Sequence, residues 1–257
     1  MTPVIAPADA GRLLEDVQRS GNRLAGSLAA LTDAEVRAPS RLPRWSRGHV
    51  LTHVARSADA YVWMLRRART GAESGPRTTA AALAEAVELG AARPAADVAA
   101  DVRGSVDRFV AEARLMPPHG WEHPVTALAG WRHPAWYTLL RCLRELETHH
   151  VDLGLGYGTG NWPSGYVTWA LDDTLGTLRA RGFPLAAVEA ADLGRRWSLS
   201  PEGATIAAPG HRVLGWLSGR TPVSEMVTDG TAAALPSPPP WPQPPLPGWG
   251  REGEDGA

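Results

Sequence analysis

The sequence predicts an α+β protein, an N-terminal four-helix bundle followed by a smaller C-terminal α+β domain. Three observations carry that prediction. Through residues 1–155 apolar side chains recur at helical spacing over long stretches. After Gly154 the pattern changes to short apolar runs bounded by Gly and Pro, the texture of strands and short helices. From Pro236 the stretch PSPPPWPQPPLPGWGREGEDGA is too rich in proline to build a core and reads as an extended or disordered tail. The expected divisions are therefore 1–155, 156–235 and 236–257.

Taken in order, the first helix is expected from about Ala8 to Leu31, with Leu13, Leu14, Val17, Leu24 and Leu28 on one side. Thr32-Asp33 caps a short following turn, and 38–43 is a loop. Ser46 is a favourable N-cap for a helix carrying His49, His53, Tyr61 and Leu65, which the Gly71 to Pro76 stretch interrupts. Two further helices span 78–89 and 94–115; a loop rich in Pro, Gly, His and Trp fills 116–134. A last helix of this half starts near Pro134 and ends by Gly154, with Leu139, Leu143, Leu146, His150 and Leu153 as its apolar stripe and Glu147 outside it. Beyond a linker, 166–181 is helical, 185–188, 195–199 and 204–208 are strands, and 211–217 is a helix stopped by Gly219.

Composition narrows the chemistry. The net charge of −1 over 257 residues gives no electrostatic footprint for nucleic acid or an anionic membrane. No apolar run approaches the ~20 residues of a membrane span, and MTPVIAPADAGRLLEDV does not read as a secretory signal, so a cytoplasmic protein is expected. Every basic residue is Arg, which excludes lysine Schiff bases, pyridoxal phosphate enzymes and a P-loop lysine. The single cysteine, Cys142, rules out an internal disulfide. Eleven Trp against two Phe suggests some indole rings walling a cleft, with most of them in core packing.

The chemistry concentrates in two helical segments some ninety residues apart. His53 lies in SRGHVLTHVARSADAYVW; Glu145 and His149 lie in RCLRELETHHVDLGLGY, four apart and so on the same side of a helix. A third donor from the other helix would complete a two-His, one-carboxylate metal site with an open coordination position, the mark of a catalytic rather than a structural centre. Spacing leaves the register open: His49 with His53, and Glu147 with His150, are competing pairs. Cys142, one turn before Glu145, reads as a packing thiol rather than a nucleophile or a fourth ligand, which would close the site, and Asp152 as an acceptor for an imidazole N–H or a surface charge.

The segments PRWSRGHVLTHVARSADA and RCLRELETHHVDLGLGY resemble the mycothiol-dependent maleylpyruvate isomerase family of the DinB-like superfamily. The similarity is strong over 1–155 and weaker over the C-terminal domain, where GHRVLGWLSGR is the best match. The resemblance implies a helix bundle holding a divalent metal, usually zinc, with ligands at His53, Glu145 and His149 and none at His49, Glu147 or His150. It also implies an active-site arginine from the smaller domain, best matched by Arg220. The cosubstrate it implies is mycothiol, a low-molecular-weight thiol. A zinc-activated thiolate would add to the cis double bond of maleylpyruvate; rotation and elimination would then give fumarylpyruvate. Such a substrate carries two carboxylates, whose binding suits Arg220; Arg56 and Arg141 read as charges on a solvated helix face, with carboxylate binding as the alternative. The same residues also suit a general mycothiol S-transferase acting on other electrophiles, or a non-enzymatic metal-binding regulatory protein.

Overall fold

The helix that carries His53 begins at a reciprocal cap. The Ser46 hydroxyl accepts from the His49 amide at 3.3 Å, and His49 Nδ1 accepts from the Ser46 amide at 3.2 Å, so a histidine fills the place usually held by Glu or Gln. Gly71, left-handed at φ 70°, closes the helix. In the computed structural model, which describes residues 7–72, 77–226, 235–243 and 249, this helix is α3 (Arg47–Thr70). Around it stand α1 (Pro7–Leu28), the short α2 (Asp33–Arg37), α4 (Ala80–Ala91), α5 (Ala95–Arg114) and α6 (Tyr137–Asp152). α3 packs on α4, α5 and α6, and α1 packs on α5 and α6, which makes α1, α3, α5 and α6 the four-helix core. Val17, Leu24, Leu51, Leu65, Phe109, Leu139 and Leu146 are all but inaccessible within it.

Three sequence expectations for this half are corrected. The 116–134 stretch is not a plain loop: it holds a 3-10 turn (Pro118–Glu122) and an antiparallel hairpin of β1 (Pro124–Thr126) and β2 (Arg132–Pro134), with Val125 opposite His133. Gly130, at φ 86°, supplies the turn that closes it. Glu147 is not outside the apolar stripe but fully buried, because Arg23 on α1 reaches across to pair with it. A carboxylate is stable at that depth only with such a partner. α1 also ends three residues earlier than expected, where the capping box of Thr32 and Glu35 starts α2.

The described residues divide into two compact units, the second beginning at Tyr157. It contains α7 (Ser164–Ala180), a three-stranded sheet and α8 (Gly210–Leu217). In the sheet β3 (Leu185–Ala190) is central, antiparallel to β4 (Arg195–Ser198) and parallel to β5 (Ala204–Ala207). Residues 235–243 carry neither helix nor strand, yet Gln243 is buried and accepts from Arg181 Nη1 at 3.1 Å, which ties that stretch to the end of α7. The rest of the proline-rich tail, apart from Trp249, lies outside the described residues. No described helix is long and apolar enough to cross a membrane.

α3 and α4 approach closely through two glycines. A methyl group built on Gly48 would lie 2.5 Å from the Ala91 carbonyl oxygen, and one on Gly90 would collide with Thr52. Gly48→Ala should therefore destabilise the protein by about 1–3 kcal/mol through overpacking. Gly11→Ala, on a face of α1 with nothing within 4 Å, should instead stabilise it by about 0.5–1 kcal/mol. Denaturant midpoints of the two variants check both signs.

Candidate metal centre

Packing of α3 on α6 brings His53, Glu145 and His149 together, with one ligand atom from each lying within 4.8 Å of the others. His53 Nε2 and His149 Nε2 each stand 3.2 Å from Glu145 Oε2, and the two imidazole rings meet nearly at right angles, 4.9 Å apart. All three side chains are half-buried, between 14% and 25% exposed, so the cluster is reachable from solvent rather than sealed in the core.

Neighbouring groups fix the donors. Asp152, buried one turn beyond His149, stands 2.9 Å from His149 Nδ1. That contact places a proton on Nδ1 and aims Nε2 at the cluster. The Tyr61 hydroxyl donates to Glu145 Oε1 at 3.1 Å, which occupies one carboxylate oxygen and leaves Oε2 to the imidazoles. Arg141 lies over the Tyr61 ring at 5.1 Å and donates to His133 Nε2 at 3.0 Å, while His133 Nδ1 donates to the Pro134 carbonyl at 2.9 Å. Burial, followed by the charge of Glu145, pushes the Tyr61 phenol up, so it remains a donor.

The charges are correspondingly shifted. Burial drives the Glu145 carboxyl up, but hydrogen bonds from His149 and His53 outweigh it and hold the group well below the usual carboxylate range. For His149, burial lowers the pKa, yet Asp152 and Glu145 reverse this and raise it to about 9. Without a cation at its centre the cluster thus keeps a proton on His149 as its positive charge. Two imidazoles and a carboxylate are a donor set that suits zinc, and three protein donors are one fewer than a closed tetrahedral site.

The competing residues are engaged elsewhere. His49 caps α3 and turns Nε2 towards Glu88 at 3.3 Å. Glu147 pairs with Arg23, and His150 Nε2 meets Ser27 Oγ at 2.8 Å, with burial and then Arg23 lowering its pKa to about 4. Cys142 is buried, and burial and then Glu145 push its thiol far up, which leaves a packing group rather than a ligand or nucleophile. Arg56 pairs with Asp101 at 2.6 Å and Asp59 at 3.1 Å, and Arg141 with His133 and the Tyr61 ring, so both are engaged by protein groups. Trp45 packs its ring 5.4 Å from that of His53 and walls one side of the cluster. Arg220 lies in the second unit, where its Nη1 donates to the Ser218 carbonyl at 2.5 Å. The role of Tyr61 was not drawn from the sequence, although its position two turns beyond His53 on the same face was a visible signal.

Comparison with known proteins shows the family. The family model described as the mycothiol maleylpyruvate isomerase N-terminal domain matches residues 17–154, more than half of the chain. The chain belongs to that family. Two crystal structures share its fold, one of a mycothiol-dependent maleylpyruvate isomerase and one of a histidine-to-alanine mutant of such an isomerase. Each aligns at a TM-score of 0.77 and 24% identity, covering 94% of this chain and 100% of that chain. No curated protein matches the sequence. The bundle of this family member contains the His53, Glu145, His149 cluster.

Tyr61→Phe should weaken zinc binding about 10-fold or more while leaving the fold intact, because the carboxylate loses the donor that orients it. Competition against a chromophoric chelator measures this, and unchanged affinity would contradict the role given to Tyr61. A proton on His149 competes with the metal below pH about 9, so zinc affinity should rise with pH and level off above that value. The same titration run across pH 6–10 checks the sign.

Proposed function

We propose that this protein is a mycothiol-dependent isomerase that converts maleylpyruvate to fumarylpyruvate. In this reading the thiolate adds to the cis double bond, the resulting single bond rotates, and expulsion of the thiol leaves the trans product. The observation that carries the proposal is the solvent-reachable cluster of two imidazoles and one carboxylate in a chain of this family. His53 Nε2, Glu145 Oε2 and His149 Nε2 would hold a divalent metal, zinc by the character of the donors. When bound, that ion would act as a Lewis acid and favour thiolate over thiol.

The remaining residues prepare the site. Asp152 and Tyr61 orient one ligand each, so that Nε2 of His149 and Oε2 of Glu145 converge without a search over rotamers. Trp45 shields the His53 side with an apolar ring. The chain has no lysine, and its one cysteine is buried and strongly protonated, so a nucleophilic thiol has to come from outside. That need fits a thiol cosubstrate. We assign Arg220 to a carboxylate of the acceptor, a role that guanidinium geometry suits.

Zinc-loaded protein incubated with mycothiol and maleylpyruvate should form fumarylpyruvate with the thiol recovered in full. Alanine at His53, Glu145 or His149 should abolish zinc content and turnover together. Alanine at His49 should cost about 1 kcal/mol of helix capping and spare the metal. Thiol consumed into a stable adduct would identify an S-transferase instead, and metal binding with no thiol-dependent turnover would identify a non-enzymatic metal-binding protein.

A further inference from the structure

The chain between α2 and α3 encloses an open cavity of about 540 Å³. Its lining includes Arg37, Arg41, Arg44, Trp45, Ser46 and His49, and contains no acidic residue. In a chain whose net charge is −1, this is a local concentration of positive charge. Arg37 pairs with Asp33 on its own short helix at 3.6 Å, and the neighbouring Arg47 is spent on the Leu153 and Glu35 carbonyls. Arg41 and Arg44 are exposed, and among the described residues neither guanidinium has a hydrogen-bond or ion-pair partner.

The backbone of this loop is nevertheless held firmly. Pro39 bridges to Ser46, the Ser40 amide donates to the Trp45 carbonyl at 2.9 Å, and the Arg41 amide donates to the Asp152 carbonyl at 2.8 Å. The last bond anchors the loop to the residue that orients His149. Arg44 sits at φ 65°, a left-handed conformation that a long side chain rarely takes. Such an arrangement persists where its surroundings enforce it. Trp45, which lines the cavity, also packs against the cluster: its ring lies 6.2 Å from that of His49 and 5.4 Å from that of His53.

We propose that this arginine-lined cavity is an anion subsite that takes a carboxylate of the acceptor substrate, with Arg41 and Arg44 as its binding residues. The proposal rests on the reading of the cluster as a thiol-activating centre, and it names the acceptor class as a small carboxylated electrophile. Glu145 and Asp152 use up the positive charge of the cluster itself, so a dianionic substrate needs further cations nearby. Two arginines free of protein partners supply them and provide planar, two-point recognition of a carboxylate. A guanidinium in a concave, positively charged setting also raises the local concentration of anions.

The test uses maleate, a dicarboxylate that cannot be isomerised through the thiol route when no thiol is present, titrated calorimetrically into the zinc-loaded full chain. Wild type should bind maleate saturably, and R41Q/R44Q should bind it about tenfold or more weakly with zinc content unchanged. In steady-state assays the double variant should raise KM for the acceptor and leave KM for the thiol alone. Equal maleate affinity in the two proteins, or no saturable binding by wild type, overturns the subsite. Affinity lost on zinc removal but kept in R41Q/R44Q places the anion on the metal and overturns it too. If wild type fails to turn over maleylpyruvate while maleate binding still follows the two arginines, the isomerase reading falls and the anion subsite stands.

Discussion

Glu145 stands between two imidazoles, one on its own helix and one on the helix packed against it, and its Oε2 is 3.2 Å from a nitrogen of each. A carboxylate and two imidazoles partly withdrawn from water need a compensating positive charge, supplied either by a proton on His149 or by a cation among the three donors. The positions of α3 and α6 are therefore tied to the charge balance of this one group. Asp152, Tyr61 and through it Arg141 are arranged around that requirement: one fixes a ring nitrogen, one fixes a carboxylate oxygen, and the third packs on the phenol.

Much of the fold was legible in local sequence because local chemistry determines it. Ser46 and Thr32 begin helices through their own side chains, and Gly71 ends one by taking a left-handed conformation. The 185, 195 and 204 strands were visible as short apolar runs between glycines and prolines. The β1–β2 hairpin was not, since its strands are three residues each and include proline and histidine, residues that carry no alternation signal. The burial of Glu147 depends on Arg23, 124 residues away in the chain, and no periodicity on α6 could reveal it.

The centre was legible in part. Spacing alone gave Glu145 with His149 but left His49, Glu147 and His150 in competition, and the choice among them came from resemblance to a family. The structure supplies the physical reason for that choice: His49 is consumed by capping α3, Glu147 by Arg23 and His150 by Ser27. Arg56 and Arg141 look similar to Arg41 and Arg44 in sequence, yet the first two are engaged by protein groups and the second two are not. Partnering is a property of tertiary packing, so composition could not separate them.

Zinc K-edge absorption spectroscopy on the metal-loaded protein addresses the central claim most directly. The account predicts two imidazole nitrogens at about 2.0–2.1 Å, one carboxylate oxygen at about 2.0–2.2 Å and a further light-atom ligand from solvent, with no protein sulfur. Addition of a thiol should then introduce a single sulfur at about 2.3 Å. A zinc–sulfur contact before any thiol is added, or a fourth protein donor that closes the site, would contradict it.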